Sequence, residues 1–228
     1  MKILFTVITI ICLTCSCSKK NTTFSGTIKG LSKGTLYLQQ IKDSSLITLD
    51  SVSLNGSSHF SFNFNLTEPD VFFFHLDKKD GTIFNDRLTL FLTPGENNLK
   101  AKLRDFEKTA TITGSPNHEK LAEYKSMIQK FNLDDFKLAQ LNNIANKTGK
   151  QDFVDATIEN QNNLLKRKYL YTVNFAIKNK DLEVAPYVVT TEIPDVNPKY
   201  LDTIYKSLPE HIKASKYGIK LEALRYKK

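Results

Sequence analysis

The sequence predicts an α+β chain: an N-terminal antiparallel β-sandwich or open barrel of about eight strands, followed by a helical C-terminal half. Three observations predict it. Up to Gly114 the apolar residues alternate or cluster in short β-branched and aromatic runs. Turn formers divide that region at intervals of roughly ten residues. After Gly114 the apolar residues recur at three- and four-residue spacing instead. Strands first and helices second is the order of an α+β chain rather than of alternating βαβ units.

The predicted strands are FSGTIKG, GTLYLQQI, LITLDSVSL, HFSFNFNL, VFFFHL, RLTLFL, NNLKAKL and TATITG. Between them stand Gly, Ser, Asn, Pro and Asp clusters, such as Asn55-Gly56-Ser57 and Pro94-Gly95-Glu96-Asn97. In HFSFNFNL, Phe60, Phe62, Phe64 and Leu66 alternate with polar residues, which puts four apolar side chains on one sheet face. VFFFHL is apolar on both faces, as expected of a central strand covered from two sides.

Ser115-Pro116 reads as a helix start, with Ser as N-cap and Pro at the first helical position. Leu121, Tyr124, Ile128 and Phe131 carry that helix, and further helices are expected over 134–146, 152–178, 183–193, 198–208 and 215–226. The segment 152–178, the longest of these, shows one stripe of Leu164, Leu165, Lys168, Tyr169, Thr172, Phe175 and Ala176.

The first residues are of another kind. Met1-Lys2 precedes the uncharged, mostly apolar dozen ILFTVITIICLT, the size of a signal-peptide core and too short to span a bilayer. Ser16-Cys17-Ser18 at its end resembles the lipobox of bacterial lipoproteins, in which a small residue precedes the cysteine that is acylated and becomes the mature N-terminus. The resemblance implies Cys17 as the lipid attachment site. Cys15 is the competing position, because Leu13 stands four residues before Cys17 rather than three. The expected organisation is a signal peptide over 1–16, a lipidated tether over 17–22, a β-rich domain over 23–114 and a helical region over 115–228. Two or three acyl chains would tether the body durably to the membrane. Ser18, Lys19 and Lys20 lack both an acidic retention residue and an acidic surface-display run, so by analogy the expected location is the outer membrane, facing the periplasm.

Composition narrows the function classes. Removing residues 1–16 takes away only Lys2 among the charged residues and leaves a net charge near +7, spread among acidic residues as on a solvated surface. Nucleic acid is not an expected partner of an exported chain. All three cysteines, Cys12, Cys15 and Cys17, lie in the leader region, so the body holds no redox pair, disulfide framework or thiolate metal site.

The strings FSGTIKGLSKGTLYLQQ, LTEPDVFFFHL, LTLFLTPGENNLKA and TATITGSPNHEKLAEY, with the aspartate and valine of LDSVSLNGSSHFSFNF, resemble the domain of unknown function 4369. That domain stands at the N-terminus of many Bacteroidetes lipoproteins. APYVVTTEI and LDTIYKSLPEHIKASKYGIKLEALR resemble the helical linker of the same proteins, the N-terminal half of TlpA-like thiol-disulfide oxidoreductases. In those relatives the linker leads into a thioredoxin-like domain with a Trp-Cys-x-x-Cys motif. This sequence has no Trp and no Cys after Cys17, so the resemblance implies the N-terminal half without the redox domain. It implies a scaffold, dimerisation or recognition role.

Individual residues add no catalytic set. His75 and Asp77 share a strand face but are two ligands where a metal site needs three or four. His118 sits in a first helical turn, where an anion could bind, and reads as a solvated residue. Asp134-Asp135 point in different directions on a helix and read as stabilising its start through the dipole. Lys166-Arg167-Lys168 with Tyr169 and Tyr171 reads as a solvated face with snorkelling stems. Asn21, Asn55, Asn65 and Asn146 open N-x-Ser/Thr triplets, which a bacterial lipobox leaves without consequence. No catalytic residue, cofactor or metal site is assigned. The expected function is a lipid-anchored envelope lipoprotein acting as a non-catalytic binding or scaffold module, with an envelope protein partner or a homodimer. The alternatives are an accessory to a separate periplasmic thioredoxin-like oxidoreductase, or an envelope glycan or lipid hydrolase.

Overall fold

The computed structural model describes residues 20–78 and 86–226. Strands β1 (Thr22–Lys29), β4 (His59–Phe64), β7 (Gly95–Lys102) and β8 (Thr111–Thr113) form one sheet, in the order β4-β1-β7-β8. Strands β2 (Lys33–Lys42), β3 (Ser45–Asn55), β5 (Asp70–Asp77) and β6 (Asp86–Leu92) form the second, in the order β3-β2-β5-β6. The two pack face to face as a sandwich, not an open barrel. Phe24, Phe60 and Phe62 of the first sheet meet Phe74 of the second, with ring centroids 5.0–6.2 Å apart.

One pairing departs from the expected antiparallel sheet. β1 runs parallel to β7, with Thr22 level with Gly95 and Lys29 level with Lys102. Alternation of apolar residues fixes which face of a strand is buried and says nothing of its direction. Gly26 permits the close approach: a Cβ there would run into the carbonyl of Leu99 on β7.

β5 is the central strand its composition suggested. Phe72 and Phe74 point into the sandwich core, while Val71 and Phe73 point out of it toward the helices. The outer face of β5 and β6 therefore founds a second core, in which Val71 and Phe91 pack with Tyr124, Val188, Val189 and Tyr217. The molecule is layered sheet, sheet, helices.

A short helix α1 (Phe106–Thr109) precedes β8 and was not evident in the sequence. α2 (Pro116–Thr148) and α3 (Gln151–Lys178) form a long antiparallel hairpin, turned at Gly149, which takes the left-handed conformation (φ 66°) that favours glycine. α4 (Val184–Glu192), α5 (Pro198–Ser207), α6 (Glu210–Lys213) and α7 (Lys216–Tyr226) fold back over the outer face of the second sheet. The segments expected as separate helices before and after residue 133 are one helix of 33 residues, longer than α3. Nothing between Phe131 and Asp134 breaks a helix, so Asp134 and Asp135 lie in its middle and do not stabilise a start. Among the described residues no helix is long and apolar enough to cross a membrane.

Candidate functional site

The first turn of α2 is built into the sheet. Ser115 is its N-cap, accepting from the His118 N–H at 3.2 Å, and its hydroxyl donates to the carbonyl of Phe91 at 2.5 Å. The Phe91 N–H donates in turn to Nδ1 of His118 at 3.2 Å. Both backbone groups of Phe91, on the free edge of β6, are thus satisfied by one helix start, which covers a strand edge that would otherwise stay open for pairing. The bond requires a neutral ring with its proton on Nε2. Burial, helped by the charge of Lys125, pushes the His118 pKa down from 6.5 to about 4 and keeps it neutral. His118 is therefore a structural acceptor, not the solvated residue its position in a first helical turn suggested. Next to it, buried Asn117 donates to Glu183 at 2.7 Å and accepts from the Val184 N–H at 2.8 Å, holding the start of α4.

A second polar cluster fastens α7 to β5. Buried Asp70 accepts from Gln40 at 2.6 Å, from the Lys216 ammonium at 2.5 and 2.7 Å and from the Tyr217 hydroxyl at 2.5 Å. The Lys216 N–H donates to Glu68 at 2.9 Å. Burial first, and then the neighbouring Asp70 charge, raise the Tyr217 pKa above its ordinary value. Tyr217 stays protonated and works as a donor to Asp70.

Beside this cluster, where the outer face of the second sheet meets α4 and α7, lies a cleft of about 260 Å³. Its walls include Ile41, Phe73, Tyr187 and Tyr217, and Lys216 and Lys220 stand on its α7 side. The tyrosine rings meet edge to face at 5.1 Å, and burial raises the Tyr187 pKa. The Lys216 charge is taken by Asp70. Lys220 lies 5.4 Å from the centre of the Tyr217 ring, on which its charge is favourably placed, and it enters no ion pair among the described residues. The cleft thus offers aromatic walls and one uncompensated cation, a combination suited to a small apolar anion.

A larger cleft of about 350 Å³ opens between β6, β8 and α2 near Arg87, Glu107 and Lys125. Its histidine is His118, already committed to Phe91.

The residues singled out in the sequence do not converge on one site, although Asp135 of α2 and Lys168 of α3 line a common cleft with Phe131 and Leu164. His75 stacks on Tyr37 at 5.6 Å on the second sheet, and Asp77 ends the same strand. Among the described residues no group of three or more His, Cys, Asp or Glu is arranged to hold a metal ion. Lys166 and Arg167 are exposed, and Tyr169 and Tyr171 pack against the second core. Leu165, expected in the buried stripe of α3, is exposed, whereas Leu164 is buried. Asn21 ties the start of β1 to Leu66, donating to its carbonyl and accepting from its N–H, both at 2.9 Å. Cys12, Cys15 and Cys17 lie outside the described residues. Sequence reasoning missed Phe73, Tyr187, Tyr217 and Lys220 as neighbours. They come from β5, α4 and α7, and no local spacing links them.

Residues 22–121 match the family described as Domain of unknown function (DUF4369). The match covers the whole sandwich and the first turns of α2, including Asp70, Ser115 and His118. No curated protein matches the chain.

Proposed function

We propose that this chain is a lipid-anchored envelope protein whose folded body is a non-catalytic binding module, and that the cleft between the second sheet and α7 is its binding site for a small apolar anion. The observation that carries this reading is Lys220: a cation with no acidic partner among the described residues, beside three aromatic rings. The ionisable groups around it support a binding role rather than a chemical one. Asp70 is engaged by three donor side chains and by the Val71 N–H, and Tyr217 is held protonated.

The test is competition for a fluorescent apolar anion, anilinonaphthalene sulfonate, by octanoate and by octanol. Octanoate displaces the dye at least tenfold more effectively than octanol, and Lys220→Met removes that preference while leaving the melting temperature unchanged. Equal competition by the two, or an unaltered preference in Lys220→Met, would overturn the reading.

A further inference from the structure

The α2–α3 hairpin carries more exposed apolar surface than its fold requires. Among the described residues, seven of the thirteen exposed large apolar side chains lie between residues 133 and 170, on this hairpin. Past Phe131 on α2, and before Tyr169 on α3, neither helix contributes a side chain to the second core. A two-helix hairpin has only one seam to bury. In this stretch the seam holds Ala145, Thr157 and Leu164, with Thr157 donating to Asn142 across it at 3.0 Å.

On α2 the exposed residues form an ordered set. Leu133 (60%), Phe136 (63%), Leu141 (43%) and Ile144 (52%) fall within an arc of about 140° at 100° per residue, turned away from Asn142 and the α3 seam. Their spacing is symmetric: three residues, then five, then three. A two-fold axis between Leu138 and Ala139 therefore sets Leu133 of one antiparallel helix against Ile144 of another, and Phe136 against Leu141. The polar residues inside the arc, Lys137 and Gln140, face each other across the same axis, where an ammonium can donate to an amide oxygen and pin the register.

We infer that α2 is a homodimerisation surface, on which a second copy of this chain packs antiparallel about that axis. A self-complementary patch is what a two-fold dimer requires. Residues 132–148 span about 25 Å and present a face about 10 Å wide, so joining two copies removes on the order of 500 Å² from each. The total is close to the roughly 1,000 Å² that a specific interface must clear, and the dimer is correspondingly reversible, with a dissociation constant on the order of micromolar.

A photo-cross-linking amino acid placed at position 140 of the full chain in cells tests this directly. The expected product is a band at twice the chain's mass, reduced at least tenfold by Phe136→Asp. In a Phe136→Lys, Leu141→Glu double variant the band returns, because the axis places each new charge against its opposite on the other copy. Circular dichroism of each purified variant checks that the helices are intact. No cross-link, a cross-link to a different protein, a band indifferent to Phe136→Asp, or failure of the double variant to restore it would each overturn the inference.

Discussion

His118 illustrates how one side chain can make a fold sensitive to acid. In the unfolded chain its ring titrates near 6.5, and in the folded chain near 4. Above pH 6.5 both states are neutral and the residue leaves stability intact. Between 6.5 and 4 the unfolded state takes up a proton that the folded state refuses, so stability falls by at most about 3 kcal/mol, and below 4 this residue causes no further loss. His118→Gln keeps an oxygen acceptor near the Phe91 N–H and removes the titration. Denaturant unfolding of both proteins from pH 4 to 8 should show a shallower acid decline in the variant; parallel curves would contradict the role given to this ring. The sequence displayed His118 in a helix's first turn, and from there exposure was the natural expectation. That the turn would abut the edge of β6 is a tertiary fact, invisible to local spacing.

Among the elements, α7 depends on β5 through Asp70. Asp70→Ala leaves the Lys216 ammonium and the Tyr217 hydroxyl without their acceptor and should cost about 2–3 kcal/mol, at or just below the low end of the range for broken buried pairs because Lys216 is partly exposed. Tyr217→Phe should cost about 1 kcal/mol, and the two losses should add to less than their sum because they share a partner. Thermal unfolding of the single and double variants measures this, and full additivity would show that Tyr217 acts independently of Asp70. The elements themselves were mostly legible. Alternation in HFSFNFNL gave β4 and its buried face, the doubly apolar VFFFHL gave the central strand, and Ser115-Pro116 gave the start of α2. What was hidden depended on partners far along the chain: the parallel β1–β7 pair, the continuity of α2 through Asp134, and the cleft residues contributed by three separated elements.

At the level of the whole molecule, β5 serves two cores at once, with Phe72 and Phe74 on one side and Val71 and Phe73 on the other. Sandwich and helices share that strand, so thermal unfolding followed by far-ultraviolet and aromatic near-ultraviolet circular dichroism should give coincident midpoints; separate midpoints would show two independent units. In the proposed function, attachment to the membrane rests on the leader. Cys17→Ala should release the protein from the membrane fraction and Cys15→Ala should not, as read by detergent phase partitioning; release by Cys15→Ala instead would move the acylated position. β1 begins at Thr22, directly after the proposed tether, and lies between β4 and β7, bonded along both flanks. If the chain is anchored as proposed, a pull transmitted from the bilayer would act along the axis of this strand. Its cross-strand bonds must then slide and rupture together rather than peel one by one, and the Asn21 clamp on Leu66 takes the first load. On the proposed anchoring, the body would be held in shear along a strand bonded on both flanks, so that a moving membrane would drag the protein along before it could unravel it.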